Sequence, residues 1–414
     1  MRKKILLLTS GLSSVGNDGG VASYVHDLAI NLIERQYDVT VFLFQENHPP
    51  LACTQPYGYS FFRVPEKRAA EDALVVELYS AIQALTPDII INNDVSYMSG
   101  LWPVLPESTI RIAVIHGYSR SWGFSVAGII GKIATYNADY IDHLVCQNQS
   151  MIHEVSTKHE VPLNKLICIH QTVQYQQMER APSPSLRIVF AGGENKAKGA
   201  QEMFKVAQLL KATDLDFVLH WCLPASTYQE KFKDDGRFLF HGQISREAFL
   251  EVLGNADCII IPTHRDTGPL LLVEAMAQGV IPICNHINSA IPDLLVNGQN
   301  GYLVAGNVPE KYVEIIKELC ETDYSPISIA AAAYFQENLS PARQIDNFER
   351  IFTKNTPVRV RQEFSKQHIV YYHRRNTANL PIYSIKKSIN KIINIFEIVM
   401  TSDLYKKWFK PILK

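Results

Sequence analysis

The chain has 414 residues, of which 47% are hydrophobic and 20% are charged, and this composition excludes a largely disordered protein. Typical domains hold ~100–200 residues, so we expect two hydrophobic cores with a cleft between them. The seven cysteines form no CxxC pair, and their odd number does not fit a disulfide framework. We therefore expect a reducing compartment.

The net charge of −1 hides an asymmetry between the body of the chain and its end. Residues 355–414 contain 12 Lys and Arg against three acids, which leaves the remainder near −10. A basic tail on an acidic body predicts an anionic partner. Because the body has no nucleic-acid-binding motif, we expect a membrane surface and not a nucleic acid.

The N-terminus has a basic start followed by a short apolar run without a small-residue cleavage site. This pattern indicates a first buried strand and not a signal peptide. No apolar run approaches the ~18–20 residues that span a bilayer. We expect a cytoplasmic protein, either free or peripheral on the inner face of the membrane.

Residues 1–180 alternate short apolar runs with helical periodicity, which is typical of βα units that build a parallel sheet. A helix is predicted over Gly20–Arg35, where apolar residues recur at helical spacing. The predicted strands are Lys4–Thr9, Val39–Phe44, Ile89–Asn92, Ile112–His116 and His143–Gln147.

A second cycle follows Pro182–Ser185, whose prolines and serines break regular structure and mark a linker. A helix is predicted over Gln201–Leu210, and residues 306–352 show helical patterns. The predicted strands are Arg187–Ala191, Phe217–Cys222, Phe238–Phe240, Cys258–Pro262 and Ile281–Cys284. The fold class is therefore α/β, with two Rossmann-like parallel-sheet domains that face each other across a cleft, at residues 1–180 and 181–340.

The last 60 residues are predicted to form a basic helical extension. Its helix at Ile382–Ile398 carries isoleucines on one side and lysines mostly on the other. Such a helix suits a lipid headgroup layer, but the same pattern also fits an extra helix packed on the protein with a solvated lysine face.

Two glycine-containing turns are candidates for ligand binding. The turn at Gly16–Gly20 opens a helix, where glycines permit close approach and free N–H groups attract anions; alone it is a weak signal. The stronger one contains Gly268, after which a helix begins near Leu270 and Leu271. Their amides are placed to meet a phosphate, and Glu274 lies about one turn into the same helix.

The segment Asp266–Gly279 resembles the motif of the retaining glycosyltransferases of family 4, which have the GT-B fold. In this family two acids stand eight positions apart, and the second is followed by Ala-Met-Ala, as at Asp266 and Glu274. The resemblance implies that Glu274 binds the ribose hydroxyls of a nucleotide. It also implies that Asp266 holds hydroxyls of the transferred sugar, although the family normally has glutamate there.

Further matches extend the resemblance over roughly Met1–Lys354. They imply that Gly19 and Gly20 approach the donor across the cleft, that His116 contacts the donor sugar, and that Lys198 pairs with the diphosphate. A backbone contact to the base is implied around Gln243, and residues 341–354 resemble a helix that crosses back to the first domain.

Several departures identify a divergent member of this family. Gly193 stands where the family usually has an arginine, so Lys196 or Arg265 is a candidate substitute. Gln171-Thr172 replaces the usual Asn-Gly before the linker, and Asp293 belongs to what resembles a structural turn.

The resemblance implies transfer with retention from a UDP- or GDP-linked sugar to a glycan or lipid-linked acceptor in surface polysaccharide synthesis. No metal and no cofactor is expected, since the nucleotide sugar is the donor substrate. Two alternatives stay open. One is a nucleotide-sugar epimerase with the same fold, and the other is a non-catalytic accessory subunit that binds glycan or polypeptide for a partner transferase.

Overall fold

The computed structural model describes residues 2–9, 20–43, 58–63, 71–93, 95–116, 135, 137–175 and 180–355. Gly19, most of the first glycine-containing turn and the basic extension from residue 356 onward lie outside the described residues. The predictions of donor contact by Gly19 and of a helix at Ile382–Ile398 therefore stay predictions.

The first domain is built on a parallel sheet of seven strands in the order β3-β2-β1-β4-β5-β6-β7. The central strands are mostly apolar and are buried, because helices cover both faces of a parallel sheet and leave neither face for water. The strands are β1 (Lys4–Thr9), β2 (Asp38–Leu43), β3 (Ser60–Arg63), β4 (Ile89–Asn93), β5 (Ile110–Ile115), β6 (His143–Cys146) and β7 (Leu166–Cys168).

Three helices of this domain are α1 (Gly20–Glu34), α2 (Glu71–Leu85) and α3 (Gln149–Lys158). Helix α1 directs Leu28 and Leu32, both fully buried, onto the sheet. Its opposite side contributes Ser23 and Asp27 to the space between the domains. One helix thus both closes the first core and faces the second domain.

The second domain contains a six-stranded parallel sheet in the order β10-β9-β8-β11-β12-β13. Its strands are β8 (Leu186–Phe190), β9 (Phe217–Cys222), β10 (Phe238–Gly242), β11 (Cys258–Ile261), β12 (Ile281–Asn285) and β13 (Tyr302–Val304). The two sheets and the helices around them confirm the predicted α/β class with two Rossmann-like domains.

The helices that follow the linker are α4 (Ala200–Lys211), α5 (Ser226–Gln229), α6 (Arg246–Gly254), α7 (Leu270–Ala277), α8 (Ile291–Leu294), α9 (Pro309–Glu321), α10 (Ser325–Tyr334) and α11 (Pro341–Arg350). A π-helical turn at Phe335–Leu339 joins α10 to α11. Helix α7 is buried from Leu272 to Ala277 because it packs between the second sheet and α10.

Helix α11 returns to the first domain and joins its core. Ile345 and Phe348 are buried with residues of α1 and the first sheet. On the surface, Arg35 pairs with Asp346 at 2.5 Å and with Glu349 at 3.2 Å. The end of the described chain is also attached, since Lys354 Nζ contacts Asp142 at 3.2 Å.

A search of the described residues finds no helix with the length and hydrophobicity needed to cross a bilayer. The six cysteines within the described residues are free thiols.

Candidate functional site

A cavity of about 510 Å³ lies between the two domains, at the carboxyl ends of the strands of the second sheet. Open α/β sheets bind ligands at this edge, because loops and helix N-termini converge there. Helix α1 contributes Ser23, Tyr24, His26 and Asp27 from the first domain. The second domain contributes Gly192, Lys198, Gln243, Arg246, Asp266, Leu270, Leu271 and Glu274, among others.

Lys198 and Asp266 form an ion pair in the wall of this cavity. The Lys198 ammonium lies 2.7 Å from Asp266 Oδ2. The two loops that carry them are joined, since both the His264 amide and the Thr263 hydroxyl donate to the carbonyl of Ala197, at 2.9 and 3.0 Å. Asp266 Oδ1 accepts from the Gly268 amide at 3.2 Å. The carboxylate therefore fixes its own loop and holds the ammonium at the cavity.

A glycine after Lys198 is required by the packing of α4 against β11. Gly199 has φ = +78°, and a Cβ there would lie 2.0 Å from the carbonyl oxygen of Pro262. No other residue permits this approach. The Lys-Gly pair thus places the lysine in the 3₁₀ turn directly before α4, whose start touches the end of a strand.

Gly193, which stands where the resemblance implies an arginine, is also constrained by the backbone. Its φ is +52°, and a Cβ would lie 2.9 Å from the carbonyl oxygen of Pro224. The two candidate substitutes are not placed to replace the missing cation, because neither Lys196 nor Arg265 lines the cavity. Besides the Lys198 ammonium, the cavity is lined by the guanidinium of Arg246.

Restoring the family's arginine by Gly193→Arg should therefore destabilise the protein without increasing activity. A side chain at positive φ with a backbone clash costs roughly 1–3 kcal/mol. We expect a lower melting temperature than that of the wild-type chain, measured by circular dichroism. A melting temperature at or above the wild-type value would contradict this account of the position.

Glu274 lies in α7 one turn after Leu270, and its side chain is 6% exposed. Its Oε1 accepts a hydrogen bond from the guanidinium of Arg246. Arg246 is the first residue of α6, directly after its N-cap Ser245. No sequence motif marks this arginine, because its contact with Glu274 joins residues that are 28 positions apart. An anionic ligand or a ribose at Glu274 would meet a guanidinium beside it.

Asp27 faces this pair from the first domain. Burial raises the pKa of its carboxyl from 3.8 to about 6, with Arg246 lowering it and Glu274 raising it again. Among the described residues, the carboxyl group of Asp27 has no hydrogen-bond partner. Charged groups of both domains therefore meet in the cavity. The carboxyl group of Asp27 is the one whose charge changes near neutral pH.

We predict that Asp27→Asn stabilises the protein at pH 8 and has little effect at pH 4. A carboxyl with a raised folded-state pKa adds stability that is present below its unfolded pKa and is lost as the pH rises through about 6. The shift of about two units sets an upper limit of ~3 kcal/mol, and partial exposure reduces this to ~1 kcal/mol. Melting curves at both pH values test this, with the exposed Asp234→Asn as control. An equal gain at both pH values would contradict it.

His116 lies behind the cavity wall and not in it. Its ring contacts Tyr24, which lines the cavity, with ring centroids 4.7 Å apart. Nε2 is 3.0 Å from Asn93 Oδ1, and Nδ1 is 2.7 Å from Gln147 Nε2. Burial lowers the pKa of His116 to about 3. The imidazole is therefore neutral at physiological pH, and in this structure it positions Tyr24.

Gln171, one of the departures from the family pattern, belongs to the same network. Its side-chain amide donates to Gln147 Oε1, and Gln147 in turn contacts His116. The residue before the second domain is thus connected to the end of β5. No such role was visible in the sequence, where only the loss of Asn-Gly was apparent.

The structure brings together six of the predicted site residues in one cavity, namely Lys198, Gln243, Asp266, Leu270, Leu271 and Glu274. Four others are not among the lining residues: Gly20 begins α1, Gly268 lies in the loop next to Asp266, Lys196 is exposed, and His116 is buried behind Tyr24. Asp27 and Arg246 are cavity residues that the sequence analysis missed.

Comparison with known proteins yields two family matches. Residues 18–177 match the family model described as Glycosyltransferase Family 4, and residues 174–336 match that of Glycosyl transferases group 1. The boundary between the matches falls in the segment that links the two sheets.

Two curated relatives match parts of the chain. One is the "Putative colanic acid biosynthesis glycosyltransferase WcaL" of Salmonella typhimurium, 24% identical over 36% of this chain and 39% of the relative. Another is the D-inositol 3-phosphate glycosyltransferase of Corynebacterium aurimucosum, 21% identical over 38% of this chain and 32% of the relative. The chain thus spans well under half the length of these relatives.

Solved structures show the same fold over most of the chain. Anabaena HepE, crystallised in complex with UDP, has a TM-score of 0.68 at 13% identity and covers 84% of this chain and 98% of HepE. This likeness shows the fold alone. The two family models together run from residue 18 to residue 336, more than half of the 414 residues, and the chain therefore belongs to the glycosyltransferases with the GT-B fold.

Proposed function

We propose that the protein is a retaining glycosyltransferase. It would move a sugar from a UDP- or GDP-linked donor to a glycan or lipid-linked acceptor in surface polysaccharide synthesis. The observation that carries this proposal is the interdomain cavity lined by both Lys198 and Glu274. The complexes of HepE with UDP and with UDP-glucose support a nucleotide-sugar donor, and the WcaL match supports the pathway.

The charges in the cavity suit the parts of a sugar nucleotide. A diphosphate leaving group gains negative charge as the glycosidic bond breaks, and a positioned ammonium stabilises this charge. In the proposal Lys198 takes that role together with the first-turn amides of α7 at Leu270 and Leu271. Glu274 accepts hydrogen bonds from the ribose, and Asp266 accepts them from the transferred sugar.

Retention follows in this proposal from attack on the face that the diphosphate leaves. The acceptor hydroxyl forms the new bond to the anomeric carbon while the old C–O bond breaks, and the departing phosphate oxygen takes the acceptor proton. No protein nucleophile is needed. The neutral, doubly hydrogen-bonded His116 fits a positioning role better than that of a base. We expect the reaction to use neither a metal nor a cofactor.

The donor must compete with two ion pairs in the cavity. Glu274 is engaged by Arg246, and Lys198 is engaged by Asp266. The donor must therefore redirect one partner of each pair or bind to the oxygens that the pairs leave open. Each pair brings an anion and a cation to one place, so a donor finds acceptors for its hydroxyls beside cations for its phosphates.

Screening of UDP-, GDP- and ADP-sugars by thermal shift identifies the donor. A ligand at ~100-fold its dissociation constant stabilises the folded state by ~2.7 kcal/mol, so a donor should raise the melting temperature clearly. Chromatography then tests whether the nucleoside diphosphate is released together with an α-linked product from an α-linked donor. Product of inverted configuration would overturn retention, and the absence of any donor response would overturn the function.

The alternative is a non-catalytic accessory subunit. The constrained glycine at position 193 favours it, because the cation of the family is absent and the backbone does not accept one. The two functions differ in turnover. Tight acceptor binding without release of a nucleoside diphosphate would indicate the accessory role.

We also propose that the basic extension binds an anionic membrane surface, a proposal that rests on its sequence alone. Removal of residues 356–414 should leave donor binding intact, since the described contacts of α11, Lys354 and Asn355 remain. It should reduce cosedimentation with vesicles that contain phosphatidylserine. Unchanged sedimentation would remove the membrane proposal.

A further inference from the structure

Three side chains with metal-ligating atoms meet outside the cavity, at the boundary between the two domains. Cys168 ends β7, His170 follows it in the segment leading to the second domain, and Asp293 lies in α8. One ligand atom from each lies within 4.8 Å of the others. None of the three lines the cavity between the domains.

The separation of the two first-domain atoms suits a bound metal. Cys168 Sγ lies 3.7 Å from His170 Nε2. Tetrahedral zinc has Zn–S of about 2.3 Å and Zn–N of about 2.0–2.1 Å, which places the two ligand atoms about 3.6 Å apart. The thiol and the imidazole are thus already at the spacing that a shared zinc ion requires.

His170 and Asp293 are both oriented by backbone groups of the first domain. His170 Nδ1 lies 3.0 Å from the carbonyl oxygen of Gln147, which fixes the tautomer with the proton on Nδ1 and leaves Nε2 as the atom that accepts a metal. Asp293 Oδ2 accepts from the amide of Gln149 at 2.8 Å. Contacts of this kind hold metal ligands in many proteins because they set ring and carboxylate orientation.

We propose that Cys168, His170 and Asp293 bind one zinc ion that joins the two domains. Thiolate, imidazole and carboxylate together match zinc better than the hard cations magnesium and calcium, which prefer oxygen ligands alone. Three protein ligands leave a fourth position for water. On binding, the Cys168 thiol releases its proton to the solvent as the bond between Sγ and the metal forms.

The site is connected to the loop at residues 266–268, here called the donor loop, through the carbonyl group of Thr267. Asn148 caps α3 and donates from its side chain to the carbonyl of Thr267 at 2.9 Å, next to Asp266. The Ala290 amide donates to the same carbonyl at 2.9 Å, three residues before Asp293. A zinc ion at Asp293 would therefore hold α8 and the donor loop against α3, and its role is to restrain movement of the second domain.

Metal titration of the full-length protein tests the proposal independently of any transferase activity. After removal of metals with a chelator, we expect about one tightly bound Zn²⁺ per chain by calorimetry, with release of a proton and an increase in melting temperature. Co²⁺ in place of Zn²⁺ should give the thiolate charge-transfer absorption in the near ultraviolet.

Variants of the three ligands should each lose this binding by more than tenfold. Cys168→Ser should abolish the cobalt charge-transfer absorption, and His170→Gln and Asp293→Asn should weaken zinc binding while the protein keeps its metal-free melting temperature. Cys320→Ser, a half-buried cysteine elsewhere, is the matched control and should bind as the wild type does. Absence of tight binding, or binding that persists in Cys168→Ser, would overturn the proposal.

Discussion

Glu274→Ala should weaken nucleotide-sugar binding at least ~100-fold, because hydrogen bonds to a charged group contribute about 1.5–3 kcal/mol each and a ribose offers two hydroxyls. The carboxylate is buried at the cavity wall and is the one acid of α7, so no other side chain of this helix replaces it. Isothermal calorimetry with the donor found by thermal shift measures the loss. Glu310→Ala, at an exposed position of α9, is the control and should bind normally.

The ion pair between Arg246 and Glu274 gives a second explanation for any loss of binding, which a double variant can test. Removal of Glu274 leaves the guanidinium without its partner, and a displaced arginine could itself disturb the cavity. The double variant Glu274→Ala/Arg246→Ala separates the two effects. If the ribose contact is what is lost, the double variant binds as weakly as Glu274→Ala. Recovery of binding in the double variant would mean that Glu274 only restrains Arg246.

Lys198→Ala should reduce kcat by ~10²–10³, the range observed when a positioned group that stabilises developing charge is removed. The effect on kcat should exceed the effect on donor affinity, because the negative charge on the diphosphate grows as the bond breaks. Steady-state kinetics with the identified donor measure both quantities.

Lys196→Ala is the matched control for this variant. Both lysines belong to the same short turn before α4 and both are exposed, but only Lys198 lines the cavity. We expect its kcat within about threefold of the wild-type value, since a charge outside the cavity acts on the diphosphate through screening water. Equal losses for the two lysines would show that general positive charge, and not the place of Lys198, is what matters.

The sequence predicts the sheets well because parallel strands covered on both faces are mostly apolar. Residues Lys4–Thr9 and Phe217–Cys222 form strands with the predicted bounds. The missed strands have weaker patterns for physical reasons. Strands β7 and β13 have only three residues each, although β13 pairs with β12 over its whole length.

The candidate site could be predicted only where its residues form a local pattern. Asp266 and Glu274 share one loop and one helix, and Lys198 is followed by a glycine that the packing requires. Asp27 and Arg246 carry no such pattern, because they meet only when α1 of the first domain faces α6 of the second. The cluster around Asp293 was equally invisible, since Asp293 is more than 120 positions from Cys168 and His170 in the chain.

Gly193 shows how the structure changes the meaning of a departure from a family pattern. In the sequence the missing arginine is only a lost charge. In the structure the position has positive φ and no room for a Cβ, so the glycine is required by the path of the backbone. Arg246 brings a guanidinium to the cavity from another helix.

A crystal structure with the nucleoside diphosphate of the preferred donor tests the central claim most directly. We predict ribose oxygens within hydrogen-bond distance of Glu274, at about 2.6–3.2 Å, and a phosphate oxygen within reach of the Lys198 ammonium in the same cavity. A nucleotide bound at another place, or one that touches neither side chain, would contradict the claim.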